Sequence, residues 1–300
     1  MKQRLLQLYY LTLRDIKIYF KDKMVFLVSL ITPMILLVLF ITFLKTTYED
    51  TILNIVGEFS ISNKLLNAFS GGWLLSSVLA TSCVTVSFCS GIMTLDKISK
   101  ADIDFKVTPV NKSLITFAYV FSNYIATLIV CFILLIIGLI YLSIIGFYLN
   151  FIDILLIIAN ILLTSLFATL IANIIWSFTK SQGVVSGICT LLSALYGFIC
   201  GAYMPIDSMG EFFKIFTSFL PGTYSTILFR KGFLNSVLNA MEKDLPNEIV
   251  NAIANSFDVN MSFFNQNINI LTMFLVSIIS IIIASIILIL ISYFKDKSKT

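Results

Sequence analysis

The sequence predicts an all-α integral membrane protein. It has six transmembrane helices, an amphipathic interface helix at the amino terminus, a charged cytoplasmic segment between spans two and three, and a re-entrant segment after span five. Three observations carry that expectation. Of 300 residues, 58% are hydrophobic and only 12% charged, with a mean hydropathy of +0.98, more apolar surface than one water-soluble core hides. The apolar residues fall in runs of about twenty, the length that crosses a bilayer core. The basic residues gather in alternate links between those runs, as short loops rich in Lys and Arg do when they stay in the cytoplasm.

Residues 1–23 form the interface helix. At 100° per residue Leu5, Leu6, Tyr9, Leu13, Ile16 and Phe20 gather on one side, with Arg4, Gln7, Arg14 and Lys21 on the other. Such a helix lies in the inner interface with its basic side toward anionic headgroups. The long basic region and its interspersed acids set it apart from a cleavable signal. Spans follow at 24–44, 73–95, 116–147, 154–176, 184–203 and 271–294. The third is over-long and is expected to tilt or protrude. Asn150 and Asp153 sit in the short link between the third and fourth spans, which makes a tight antiparallel hairpin, and residues 177–183 do the same on the opposite side.

With the amino terminus inside, the inner segments hold Lys2, Arg4, Arg14, Lys17, Lys21, Lys23, Lys97, Lys100, Lys106, Lys112, Lys180, Lys295, Lys297 and Lys299, fourteen of the twenty basic residues. Both termini are therefore expected in the cytoplasm, as is the segment 96–113.

Residues 204–270 are expected to hold the re-entrant segment and an outer loop. The fifth span meets Gly201 and then Pro205, and a short apolar stretch from Phe212 to Leu220 is closed by Pro221. An apolar stretch too short to cross and bracketed by prolines suits a re-entrant or interfacial helix; an ordinary surface helix on the outer face is the other reading. Residues 223–269 then form a polar, Asn-rich outer loop with short helices and a breaker at Pro246.

Several chemistries lack their residues. The chain has no histidine, and its five cysteines lie in apolar runs without CxxC spacing, so they are expected to be packing residues rather than metal ligands. None of the six predicted spans contains Asp, Glu, Lys or Arg, which disfavours a proton- or sodium-driven carrier and an intramembrane enzyme. No GxxxxGK[ST] loop is present, so ATP would be bound by another polypeptide. Polar residues inside the spans, among them Ser77, Thr81, Asn123, Asn160 and Asn173, either line a path or join helices by hydrogen bonds. The GxxxG spacings at Gly183 and Gly187, and at Gly197 and Gly201, allow close helix approach.

The order of "LRDIKIYFKDKMVFLVSLITPMILLVLF", "LDKISKADIDFKVTPVNKSLI" and "GAYMPIDSMGEFFKIFTSFLPGTYSTILFRKGF" resembles the membrane subunit of ABC-2-type transporters, the permeases of ATP-binding-cassette exporters. The resemblance covers nearly the whole chain. It implies a cytoplasmic coupling helix docked on a separate ATPase subunit that carries ATP and magnesium, this chain binding no cofactor, no metal and no nucleic acid. It also implies a second permease subunit, identical or different. The matching coupling positions include Asp96, Lys97, Asp102, Asp104, Phe105, Thr108 and Pro109, with Phe105 as a buried anchor and Pro109 as the stop. Many relatives carry Glu-x-x-Gly-Thr upstream of the Thr-Pro pair, whereas Lys100 and Ala101 stand near its Gly-Thr here. The outer gate falls to Gly201, Pro205, Phe212, Phe216, Pro221 and Tyr224, and the substrate path to Ser77, Thr81, Asn123 and Asn173.

The expected cargo is amphiphilic, a drug, antimicrobial peptide or lipid-linked molecule moved outward across the cytoplasmic membrane of a bacterium. The alternatives are an ATP-independent scaffold or immunity protein acting through its outer loop, an ion-driven carrier and a lipid-modifying enzyme.

Overall fold

The computed structural model describes residues 2–297 apart from 109, 261, 264 and 265. Thirteen α-helices appear among the described residues. Helix α1 (Lys2–Lys21) leads into α2 (Lys23–Leu39), a π-turn (Phe40–Leu44) and α3 (Lys45–Val56). Then come α4 (Asn63–Cys89), the short pair α5 (Ile92–Ile98) and α6 (Ala101–Val107), and the long helices α7 (Lys112–Ile145), α8 (Phe151–Phe178) and α9 (Gln182–Ile199). A 3-10 turn (Ile206–Met209), α10 (Glu211–Ser218), α11 (Pro221–Met241), α12 (Asn247–Ser256), an antiparallel two-stranded ribbon (Ser262–Phe263 with Gln266–Asn267) and α13 (Ile270–Lys297) complete the chain.

Among the described residues, five helical stretches are long and apolar enough to cross a membrane: Asn63–Ile98, Ser113–Ile145, Phe151–Phe178, Gln182–Ile199 and Ile270–Phe294. The protein is thus an integral membrane protein with a helical bundle. The predicted first span, 24–44, is the 17-residue α2, which contains Pro33, continued by the π-turn. The predicted second span began ten residues too late, because α4 starts at Asn63, where Ser62 accepts a hydrogen bond from the Leu65 amide. It also breaks at Ser90 and Gly91 before α5. The expected 150–153 hairpin is tight: Asp153 accepts from the Asn150 amide at 3.0 Å in the first turn of α8.

Helix α4 is the axis of the bundle, buried from Ala68 to Cys89 and packed by α2, α7, α8, α9 and α11. Its run of Gly, Ser, Thr, Ala and Cys permits that crowding, since small side chains let helices approach closely in membranes. At Gly72 a Cβ would stand 3.2 Å from the Phe233 carbonyl of α11, and at Gly232 of α11 one would stand 2.6 Å from Ile157 of α8.

The largest correction concerns residues 223–269. Most of their first half belongs to α11, a helix of twenty-one residues that packs against α4 and α8 and is largely buried, rather than to a polar loop. Counted along the sequence its polar residues look solvated; in three dimensions Arg230 and Ser236 are buried in the bundle, while Asn239 stays exposed. Asn160, Ile157 and Asp153 of α8 meet Ser225, Gly232 and Ser236 of α11 in turn, so the two helices run antiparallel. The breaker at Pro246 does fall at a helix boundary, immediately before α12.

Candidate functional site

The end of the bundle that carries α1, α5 and α6 is built around one arginine. Gly91, between α4 and α5, packs so tightly that a Cβ there would stand 2.8 Å from Val185. Asp96, buried on α5, takes two hydrogen bonds of 2.7 Å from the Arg14 guanidinium of α1 and a third of 2.6 Å from the Tyr119 hydroxyl of α7. Arg14 also donates to the neighbouring Asp15 carboxylate at 2.8 Å. Two buried carboxylates therefore share one guanidinium. Burial pushes Asp15 up to about 7, with Arg14 opposing and Asp96 adding to the rise, while the hydrogen bond that Arg14 donates to Asp96 holds Arg14 well above its usual value.

Lys97, next on α5, donates to the carbonyls of Trp176, Ser177 and Thr179 at 2.6, 3.1 and 3.2 Å. It neutralises and ties off the carbonyl end of α8, where a helix dipole favours a cation. Asp96 and Lys97, expected to face an ATPase, are thus turned inward, and they lock α5 to α1, α7 and α8.

Helix α6 is the outward part of the segment. Asp104 is exposed, Asp102 half-buried, and the Thr108 hydroxyl donates to the Phe105 carbonyl at 2.9 Å. The Phe105 ring lies 5.2 Å from the Arg14 guanidinium carbon, so within the chain this side chain fastens α6 to α1. Pro109 lies outside the described residues. Ile98 and Ile103 are about half exposed, at 45% and 47%; sequence reading passed over them because single apolar residues among charges look like helix fillers. Lys100 opens α6 with φ of 62°, in the left-handed region that favours glycine.

The four residues expected to form a path lie inside the bundle. Asn123 donates to the Ser87 carbonyl at 2.9 Å, and the Ser87 hydroxyl sits 3.2 Å from that of Thr127 and 3.3 Å from that of Thr169. Asn173 donates to the Thr169 carbonyl and Thr81 to the Ser77 carbonyl, both at 2.8 Å. The contacts of Asn123 and Ser87 join α4, α7 and α8, whereas those of Asn173 and Thr81 close turns within their own helices.

At the opposite end, α10 and α11 form a helix-turn-helix. The Thr223 hydroxyl donates to the Thr217 carbonyl at 2.7 Å and Tyr224 to the Ser218 carbonyl at 2.8 Å, just after Pro221 starts α11. Phe212 and Phe216 are exposed at 79% and 48%. Gly201, with φ of 72°, offers its carbonyl to the fully buried Arg230 of α11, which also donates to Asp258 at 3.0 Å. Asp258 in turn accepts from the Ile206 amide next to Pro205. The Arg230 guanidinium carbon lies 4.7 Å from the Trp73 ring of α4. Neither Arg230 nor Asp258 stood out in the sequence, because neither belongs to a predicted span. The one available signal was a lone arginine within "TILFRKGFL".

Among the cysteines, Cys89 of α4 and Cys189 of α9 form a disulfide, and Cys83, Cys131 and Cys200 are buried thiols. The first pair departs from the packing role expected of all five. No group of three or more His, Cys, Asp or Glu residues among the described ones is placed to hold a metal ion.

The model of the ABC-2 type transporter family matches residues 6–234. That stretch runs from α1 through most of α11 and includes the Arg14 junction. Neither a curated protein nor a solved structure matched the sequence.

Proposed function

The chain belongs to the ABC-2 type transporter family and is a permease component of an ABC transporter; we propose that it is the membrane half of an ATP-driven exporter. Its partner is a cytoplasmic ATP-binding-cassette subunit that binds ATP and magnesium and docks under α5 and α6. A second permease subunit packs alongside, and the cargo is amphiphilic: a drug, an antimicrobial peptide or a lipid-linked molecule. The complex sits in the cytoplasmic membrane of a bacterium with both termini inside.

One observation carries this reading. Asp96 and Lys97 bind α5 to α1, α7 and α8 through six hydrogen bonds of 2.6–3.2 Å, while Asp104, Ile98 and Ile103 on the same pair of helices face outward. A push on the exposed face reaches three helices at once instead of bending a loop. The helix-turn-helix of α10 and α11 at the other end supports a gate at Pro205, Phe212, Phe216 and Pro221. Gly187 of α9, with nothing within 4 Å of an added Cβ, supports a close second subunit.

The test is co-purification with the candidate ATPase. Replacing Ile103 by Asp, or Asp104 by Arg, is expected to abolish retention of the ATPase while the permease still folds. Equal retention by both variants, or retention by no ATPase at all, would move the function toward a scaffold acting through the distal end.

A further inference from the structure

Helices α4 and α9 are joined by the disulfide between Cys89 and Cys189, residues 100 positions apart in sequence whose Cα atoms lie 5.7 Å from each other. We propose that this pair is a redox latch: hydrogen peroxide closes it, a dithiol opens it, and closure fixes α9 against α4. The inference rests on the reading above that puts this end of the bundle in the cytoplasm, where thiols are kept reduced and a permanent disulfide is rare.

The place of the pair gives closure its effect. Cys89 is the last residue of α4, two positions before the break at Gly91. Cys189 follows Val185 by four residues on α9, so the two share a face, and Val185 is the side chain that a Cβ at Gly91 would strike. The latch thus lies one helical turn from the contact of α9 with the start of α5, the helix whose Asp96 and Lys97 grip α1, α7 and α8. Of the eighteen residues of α9, Val185, Cys189 and Gly197 are buried, whereas α4 is buried throughout Ala68–Cys89. Val185 packs on Val84, Phe88 and Trp176, and in lipid such apolar contacts gain nothing from excluding water. A covalent bond at one of three buried positions therefore changes the freedom of α9 far more than it would that of a crowded helix.

A second pair supplies the contrast. The Cys83 and Cys131 sulfurs lie 3.6 Å apart, six residues or about 9 Å deeper along α4, and both residues are 0% exposed, against 8% for Cys89 and 5% for Cys189. Peroxide arriving from the near end of the bundle meets the Cys89 pair first. One sulfur of that pair attacks a peroxide oxygen, the O–O bond breaks, and a sulfenic acid forms while the thiol proton leaves in water. The second sulfur displaces the sulfenic hydroxyl, which departs with the second thiol proton as water. Two thiols and one hydrogen peroxide give one disulfide and two waters. A dithiol reverses this by exchange through a mixed disulfide, restoring both thiols and ending as its own cyclic disulfide.

The experiment reads thiols in cells that make the native chain, quenched and unfolded in acid, blocked with N-ethylmaleimide, and followed by peptide mass spectrometry of the permease. In untreated cells all five cysteines are expected to be blocked. After hydrogen peroxide Cys89 and Cys189 are expected to be joined, with Cys83, Cys131 and Cys200 still blocked, and dithiothreitol is expected to return all five. In the purified chain closure is expected to slow hydrogen exchange over residues 184–199 about five-fold or more and to leave residues 271–290 of α13 unchanged. Cys89→Ser with Cys189→Ser is expected to abolish that response to peroxide. A bond already present in untreated cells, a bond between Cys83 and Cys131 instead, or exchange over α9 that ignores closure overturns the latch. Labelling of Asp104→Cys by a membrane-impermeant maleimide in intact cells would trace the first of these outcomes to a wrong orientation. Because no readout involves an ATPase or a cargo, failure of the latch and failure of the transport reading are separable.

Discussion

Arg14 and Asp96, eighty-two positions apart, meet through two parallel hydrogen bonds of 2.7 Å, the fork geometry in which a guanidinium grips a carboxylate most firmly. The two partners are unequal. The Asp96 side chain is 4% exposed and that of Arg14 34%, so losing one is not like losing the other. Arg14→Ala leaves Asp96 and Asp15 buried without their cation, whereas Asp96→Asn leaves an arginine that can reach water and still has Asp15. The expected cost is about 3 kcal/mol for Arg14→Ala and less than half of that for Asp96→Asn. Thermal unfolding in detergent reads both. Equal costs would show that the pair behaves as a surface ion pair.

Asp15 gives the junction a pH dependence. Its folded value of about 7 lies above the ordinary 3.8, so the folded chain holds this proton more tightly than the unfolded chain does. The raised value therefore favours folding below about pH 4, and that relative advantage is lost as pH rises through 7. Replacing Asp15 by Asn should flatten the decline in unfolding midpoint between pH 5 and 8. A native midpoint that rises over this interval, with no change in slope for the variant, would contradict the burial of Asp15.

Lys100 supplies a prediction of opposite sign. A side chain in the left-handed region costs about 1 kcal/mol relative to glycine. Lys100→Gly should raise stability by up to that amount, offset in part by the greater freedom of the unfolded chain. A loss of more than 1 kcal/mol would mean that the Lys100 side chain holds something its backbone conformation does not reveal.

Lys97→Met removes three hydrogen bonds from the end of α8. Hydrogen exchange should speed up in residues 176–182 and remain unchanged at residues 221–241 of α11. Uniform acceleration along the chain would point to global destabilisation instead of a lost cap.

At the far end, Arg230→Met strands Asp258, and a cost of about 3 to 5 kcal/mol is expected. Arg230→Met combined with Asp258→Asn should recover part of it, because no unpaired charge is then left buried. If the double variant is no more stable than the single one, contact with Trp73 rather than charge pairing dominates this cluster.

The long helices were legible because membrane spans announce themselves by length and apolarity alone: α7, α8 and α13 fall within a few residues of their expected places. Helix α11 was hidden by the same rule. Its Arg230 and Ser236 lower its hydropathy, and only the partners Asp258, Trp73 and Asp153 show why they are tolerated. The segment 96–113 was recognised, yet its division of labour was not. Asp96 and Asp104 are identical letters eight positions apart, and only the break at Gly91 and the reach of Arg14 turn one inward and leave the other in the open. The polar residues of the spans were found, but whether they face a path or a neighbouring helix depends on helix rotation, which one sequence does not display.

ATP hydrolysis by the purified complex of this permease with its ATPase, comparing the native chain with Phe105→Ala and Asp104→Ala, tests the central claim most directly. Phe105→Ala removes the ring that fastens α6 to Arg14, and Asp104→Ala removes an exposed charge from the same helix. Hydrolysis that falls several-fold, or that no longer responds to added substrate, is the result expected of a lever. Hydrolysis indifferent to both changes, in a complex that remains assembled, would contradict it.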